Sequence, residues 1–369
     1  MLTHGCCGKQ ENMTDYYRPN HIPIVFASDN YFVPYMAAMM QSIMENASTT
    51  RQYIFFVLHR DITTDTQQTV QQQIAIFNNF SVLFIDVTHY FAGQSLFTAS
   101  RKEITVETYF RLLIPQLFSE YEKVIYLDGD MICLSDISEL YNYDIGDNFL
   151  LATRDIHQIA LFYPAYQKLK SVYKKSVSST KKGILEINNI SNYFNGGALV
   201  FNMAQFCKSF SADKILDFAA SQNWNLHDQD VLNVLCENKV LFISSKWNFI
   251  YEKKRKVLMY TPDFLQNEYF EGENAPAIIH YASTSKKPWE NSVQTPYAGL
   301  FWKYAARTPF ISTIITRMQA KHLVNDTIYE CVAKNIIYRQ GISIKFILKC
   351  FWKRFLRDAG FIQRKISNE

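Results

Sequence analysis

VIYLDGDMICLSDISEL, residues 124–140, carries an apolar run that stops at two carboxylates, Asp128 and Asp130, separated by one glycine. A short continuous apolar run bounded by polar residues reads as a strand buried on both faces. Two acids so close raise each other's pKa unless they point to different solvent regions or share a cation. The end of this strand is therefore a candidate metal site.

The flanking sequence repeats the pattern. IPIVFASDNY (22–31) is an apolar run ending in Ser-Asp-Asn, followed by helical spacing over FVPYMAAMMQSIM (32–44) with Pro34 in a tolerable first-turn position. QYIFFVLH (52–59) and SVLFIDV (81–87) read as two more buried strands around a helix at 64–77. Strands alternating with helices predict an α/β fold, a mostly parallel central sheet with helices on both faces. Such sheets bind ligands outside the carboxyl ends of their strands. Asp29 and Asn30 lie at that end of the first strand, as Asp128 and Asp130 do at a later one.

Farther on, TVETYFRLLIPQLF (105–118) reads as a helix interrupted near Pro115, and NFLLATRD (148–155) as a strand ending in Asp155. The Lys- and Ser-rich stretch 164–190 reads as a mobile, lid-like loop. NYFNGGALVFNM (192–203) holds Gly196 and Gly197, which allow close backbone approach. HDQDVLNVLC (227–236) reads as a helix opening in acids, KVLFISSKWNFIY (239–251) as strand material, and PAIIH (276–280) as a short strand ending in His280. A loop with Lys286 and Lys287 follows, and the pattern is helical from 296.

The 369 residues, 48% hydrophobic and 20% charged, suit one large globular domain with an appendage. The 28 Phe and 23 Tyr fit a core equally well as a surface that grips sugar rings or a membrane interface. Seven scattered cysteines without a CxxC pair point away from a disulfide framework and a zinc cluster, toward a reducing compartment. The first twenty residues contain no apolar signal core, and no apolar run reaches the roughly 18 residues of a spanning helix. A cytoplasmic protein, peripheral to the inner face of the cytoplasmic membrane, is the expected setting.

Carboxylate oxygens and one imidazole nitrogen suit a six-coordinate divalent ion, so Asp128, Asp130 and His280 form a candidate metal set. The histidine inclines the choice toward Mn²⁺, with Mg²⁺ as the alternative. Gly129 reads as clearance for a bulky polyanion between the acids. A metal there would neutralise a diphosphate, with Lys286 or Lys287 adding charge.

IVFASDNYFVPYM, ITVETYFRLLIP, KVIYLDGDMI, YFNGGALVFNM, HDQDVLN and HYASTSKKPW, in unbroken order from about 22 to 305, resemble the successive motifs of glycosyltransferase family 8. That family includes bacterial lipopolysaccharide α-galactosyl- and α-glucosyltransferases and, more remotely, glycogenin. The resemblance implies a GT-A fold and a retaining transfer of galactose or glucose from a UDP-hexose to a glycan, lipopolysaccharide or another glycoconjugate. It implies that Asp128, Asp130 and His280 bind the metal, and that Ala27 and Asp29 line the uridine pocket near Asn30 and Tyr31. Lys287 then contacts the phosphate, and Arg111, Asp155, Asn195, Asp228 and Gln229 surround the donor sugar. The loop after His280 is one residue longer than the family's usual form and lacks its glycine, so Lys287 is matched by its Pro-Trp neighbours.

The implied domains are a polar, poorly ordered leader (1–21), a GT-A catalytic domain (22–295) and a C-terminal helical region (296–369). Residues 345–369 hold seven basic against two acidic residues, a net +5 that leaves the remainder at −1 of the total +4. The positive charge is thus not a nucleic-acid surface spread over the chain. At 100° per residue, 341–360 places Ile344, Ile347, Leu348, Phe351, Trp352 and Phe355 on one side and Lys345, Lys349, Lys353 and Arg357 toward the other. Such a helix suits an anionic membrane surface, and packing on the catalytic domain is the alternative. Two other functions compete with the transferase. A nucleotidyltransferase would want a Gly-rich basic loop where Ser-Asp-Asn-Tyr stands, and a non-catalytic sugar- or membrane-binding protein would not need the acids.

Overall fold

The structure, a computed structural model, describes residues 16–91, 96, 106–163, 187–251, 255–282, 287–290 and 296–320. Most of the expected lid (164–186), Lys286 and the whole basic tail lie outside these residues. The chain divides into two compact units, 1–280 and 281–369, ahead of the junction expected at 295/296.

The first unit is built on β1 (His21–Ala27), α1 (Val33–Asn46), β2 (Gln52–His59), α2 (Thr64–Ile74) and β3 (Phe80–Asp86). After a 3-10 stretch (Val106–Leu113) come α3 (Ile114–Leu117), β4 (Lys123–Leu127), β5 (Met131–Cys133), α4 (Ile137–Tyr141), β6 (Leu150–Arg154) and α5 (Ile156–Phe162). Then follow β7 (Phe194–Asn202), α6 (Met203–Ser209), α7 (Ala212–Ala220), α8 (Asp228–Leu235), β8 (Val240–Phe242), β9 (Phe249–Ile250), α9 (Asp263–Asn274) and β10 (Ile278–His280).

Seven strands form a central sheet in the order β3-β2-β1-β4-β7-β6-β8. Pairing is parallel except around β7, which runs antiparallel to both β4 and β6. The near-continuous burial of Ile22–Phe26 and Tyr53–His59 is what a sheet covered on both faces requires. The reversal of β7 has a consequence for function. Its first residues lie beside the last residues of β4, with Leu127 opposite Ala198, so Asn195–Gly197 reach the edge that carries Asp128.

The run 124–133 does not continue as one strand. It turns at Asp128–Asp130, and Met131–Cys133 joins a separate three-stranded sheet, β5-β10-β9. There β10 is antiparallel to β5 and sets His280 opposite Met131, next to Asp130.

Among the described residues many aromatics serve the core. Trp224, Trp247, Tyr53, Tyr109, Tyr126, Tyr193, Phe26, Phe55, Phe56 and Phe110 are fully buried. Burying each contributes on the order of 2 kcal/mol. Two expected elements differ. The 105–118 segment is mainly 3-10, with Pro115 in the first turn of α3. The supposed strand 239–251 is broken by a 3-10 turn at Ser245–Asn248, where the Ser244 side chain accepts from the Lys246 N–H and competes with the ladder. The end of the polar leader is anchored, since Tyr121 Oη donates to the Tyr16 carbonyl and accepts from the Arg18 N–H.

In the second unit α10 (Ala298–Ala305) and α11 (Ile311–Ala320) fall within the stretch expected to be helical, whose part beyond 320 lies outside the described residues. Phe301 packs against Trp289 with ring centroids 4.8 Å apart. Among the described residues no helix is long and apolar enough to cross a membrane.

Candidate active site

The turn after β4 and the end of β10 bring Asp128, Asp130 and His280 together, with one ligand atom of each within 4.8 Å of the others. His280 Nε2 stands 3.2 Å from Asp130 Oδ1 and 3.8 Å from Asp128 Oδ2. Adjacent ligands of a six-coordinate ion with bonds of about 2.1 Å sit about 3 Å apart, so the donor set fits a divalent cation in spacing as well as in chemistry. His280 Nδ1 lies 2.8 Å from Asn248 Oδ1, a contact that turns Nε2 toward the carboxylates.

Asp128 divides its two oxygens. Oδ1 accepts from Arg111 Nη2 at 2.9 Å and from Tyr126 Oη at 3.0 Å, and Oδ2 faces His280. Arg111, 5% exposed, is the electrostatic hub. Its guanidinium also donates to the Gly196 carbonyl and the Thr108 carbonyl, stacks 4.3 Å from the Tyr126 ring, and holds Asp228 Oδ2 at 2.8 Å from Nε. Burial works against this charge, but Asp128 and Asp228 outweigh it and keep the guanidinium firmly protonated. Burial pushes the Asp228 carboxyl up to about 6, with Arg111 pulling it the other way.

The remaining sugar-site candidates form one network. Asp155 caps α5 by accepting from the Gln158 N–H at 3.0 Å. Its Oδ2 accepts from Asn195 Nδ2 at 3.0 Å and Gln229 Nε2 at 3.2 Å. Gln229 Oε1 accepts from the Gly196 N–H at 2.9 Å, which links helix α8 to β7. That helix begins after His227, buried at φ 55° and ψ −127°. Such a backbone costs a non-glycine residue about 1–3 kcal/mol, strain tolerated where the chain must aim Asp228 and Gln229 inward.

Ala27, Asp29, Asn30 and Tyr31 gather at the carboxyl end of β1, as expected. Asp29 Oδ1 accepts from the Phe32 N–H at 2.6 Å, and the Asn30 N–H donates to Asp61 Oδ1 at 2.9 Å. The Tyr31 ring is 48% exposed at this edge, 6.3 Å from the Tyr35 ring. Lys287 belongs to the second unit, where its Nζ donates to the Tyr281 carbonyl at 3.1 Å.

One reading needs correction. A Cβ on Gly129 would point at Met36 Cβ (3.1 Å) and Phe32 Cε1 (3.2 Å) of the α1 region, so that glycine permits helix packing and does not clear the space between the acids. The clearance comes from Gly197, where a Cβ would fall 2.5 Å from His280 Cε1 and 2.8 Å from Asp128 Oδ2. Asn248 and Tyr126, which contact His280 and Asp128, are not among the residues expected at the site. Tyr126 reads as core, and Asn248 sits inside a stretch that reads as strand, so neither gave a local signal.

A mostly parallel sheet whose fourth strand ends in an Asp-x-Asp turn is the GT-A arrangement of glycosyltransferases. Residues 23–292 match glycosyl transferase family 8, and the chain belongs to that family. The lipopolysaccharide 1,3-galactosyltransferase of Salmonella typhimurium is 28% identical over 244 residues, 62% of this chain and 65% of that protein, so the match spans just under two thirds of that relative. General stress protein A of Bacillus subtilis is 24% identical over 293 residues, 77% of this chain and 93% of that one. Galactosyltransferase LgtC, solved in complex with donor and acceptor sugar analogues, shares the fold at TM-score 0.59 and 24% identity, over 78% of this chain and 96% of that one. The bifunctional glycosyltransferase WbbM shares it at TM-score 0.68 and 23% identity, over 81% and 52%.

Proposed function

We propose that this family 8 glycosyltransferase moves galactose or glucose from a UDP-α-hexose to a glycan acceptor with retention, using Mn²⁺ held by Asp128, Asp130 and His280. The observation that carries the reading is the triad itself, with ligand atoms within 4.8 Å and an imidazole turned by Asn248. A divalent ion there supplies positive charge to a diphosphate leaving group. The chain's own residues do the positioning. Arg111 holds Asp128 by one oxygen and leaves the other toward His280. Asp155 accepts hydrogen bonds from the Gln158 N–H, Asn195 and Gln229 and keeps lone-pair capacity for a sugar hydroxyl. Ala27, Asp29, Asn30 and Tyr31 take the uridine, and Lys287 the phosphate.

Retention by double displacement needs a carboxylate nucleophile. Asp228 is engaged by Arg111, and Asp155 by three donors, while Gln229 is an amide. These ties favour front-side attack, in which the departing diphosphate accepts the acceptor hydroxyl's proton. A glycosyl adduct on Asp228 or Gln229, trapped and seen by mass spectrometry, would overturn that route.

Hydrolysis of a panel of UDP-sugars with and without Mn²⁺ tests the assignment. Turnover is expected with UDP-galactose or UDP-glucose, to require the metal, and to be lost in Asp130→Ala; metal-independent turnover unchanged in that variant would sink it. The names of relatives favour a lipopolysaccharide or similar acceptor, and the basic, aromatic sequence of 341–360 is what suggests work at the inner membrane face. The full chain is expected to pellet with anionic liposomes at low salt, and a chain ending near residue 335 to stay in solution. Equal pelleting of both removes the membrane role.

A further inference from the structure

A histidine that ligates a metal through Nε2 must carry its proton on Nδ1, and something must hold that tautomer. Here the holder is identifiable because the polarity of the surrounding hydrogen bonds starts from a group that cannot flip. The Gly197 backbone N–H donates to Asn195 Oδ1 at 2.9 Å. That contact fixes which end of the Asn195 amide is oxygen and turns Nδ2 to Asp155 Oδ2 at 3.0 Å. The same Asn195 oxygen accepts from Asn248 Nδ2 at 2.9 Å, which leaves Asn248 Oδ1 facing His280 Nδ1 at 2.8 Å. An amide oxygen only accepts, so a proton stands on Nδ1, and in the neutral ring the Nε2 lone pair faces Asp128 and Asp130. All four side chains are buried, at 5% for Asp155, 7% for Asn195, 4% for Asn248 and 5% for His280. Flipping Asn248 would set its oxygen against Asn195 Oδ1 at this depth and leave buried polar groups unsatisfied.

We propose that Asn248 is a positioning residue of the metal site: it holds His280 in the Nδ1–H tautomer, and Asp155 and Asn195 hold Asn248. The residues placed around the donor sugar thereby also set the metal ligand, so sugar site and metal site share one polar chain. The inference rests on reading Asp128, Asp130 and His280 as a divalent-cation site.

Two substitutions of similar size separate positioning from mere packing. Asn248→Asp keeps an acceptor for Nδ1–H but places an oxygen against Asn195 Oδ1, so it is expected to destabilise the fold while preserving the tautomer. Asn248→Leu removes the acceptor and leaves no buried charge. The readouts on the full chain are the ¹⁵N shifts of the His280 ring without metal, Mn²⁺ affinity without UDP-sugar, and the thermal midpoint. In Asn248→Leu the Nδ1–H preference is expected to disappear and Mn²⁺ affinity to fall about 10- to 100-fold. In Asn248→Asp both are expected to stay near the unaltered values although the melting temperature drops.

Affinities that follow the melting temperatures, with the His280 tautomer unchanged in both variants, overturn the proposal. So does an unaltered Mn²⁺ affinity in Asn248→Leu when Asp130→Ala has lost it, a result that leaves the metal reading standing. Failure of the unaltered chain to bind Mn²⁺ at all sinks the metal reading and the inference with it.

Discussion

Gly197→Ala is expected to lower Mn²⁺ affinity and donor turnover by about 10²-fold each, the effect of displacing a site group by about 1 Å. The backbone of Gly197 is not in the left-handed region, so conformational freedom is not the issue; space is. The added methyl would stand 2.5 Å from His280 Cε1, 2.8 Å from Asp128 Oδ2 and 2.8 Å from Met131 Cε. Two of these atoms belong to ligating side chains, and the imidazole is pinned by Asn248, so relief must come from moving the ligands. Gly129→Ala is the control. Its methyl meets Met36 and Phe32, which costs about 1–3 kcal/mol of stability by overpacking while Mn²⁺ affinity persists. Calorimetric titration of both variants with Mn²⁺, beside their thermal midpoints, checks the pair. Equal metal affinities in the two would remove Gly197 from the site.

Arg111→Leu should be the most destabilising of the substitutions considered, at about 3–5 kcal/mol, because it strands buried charge. Arg111 is buried between Asp128 Oδ1 at 2.9 Å and Asp228 Oδ2 at 2.8 Å. Against a typical stability of about 5–15 kcal/mol the loss is a large fraction of the whole. Urea denaturation measures it, and adding Asp228→Asn should restore part of the loss, since the stranded carboxylate is then neutral.

The cost should also depend on pH. Burial already lifts the Asp228 carboxyl from 3.8 to about 6 with Arg111 opposing, so removing Arg111 lifts it further. A group whose folded pKa is raised binds its proton more tightly when folded, so stability falls as pH rises from about 4 through that folded value. The penalty of Arg111→Leu is therefore smaller at pH 5 than at pH 8, and a penalty flat over that range would show that Asp228 is not the stranded partner.

The parts of the fold that were legible in the sequence are those set by local pattern. Buried runs such as QYIFFVLH and KVIYL are apolar because both faces of their strands are covered, and that requirement is written residue by residue. The start of α2 was legible in the helical spacing from 64, and the structure adds its cap, the Thr63 side chain accepting from the Thr66 N–H; α5 with its Asp155 cap gave no such signal. The turn at Ser244 and the 3-10 winding of 106–113 were not, since short polar competition and apolar packing do not change the spacing of hydrophobic residues enough to be read.

The sequence by itself determined the strand-end acids, the ordered motifs and hence the family, because chemistry demands particular residue types at positions fixed along the chain. Only the tertiary structure decided how they meet. The antiparallel course of β7 puts Gly197 between His280 and Asp128, and the pairing of β10 with β5 carries His280 to Asp130 across 150 positions. It also decided that Gly197 makes room for the ligands while Gly129 packs on a helix, and that Asn248 aims the imidazole. Clearance and hydrogen-bond polarity are relations between atoms distant in sequence, set by strand direction and register, and neither leaves a mark in the spacing of residues along one chain.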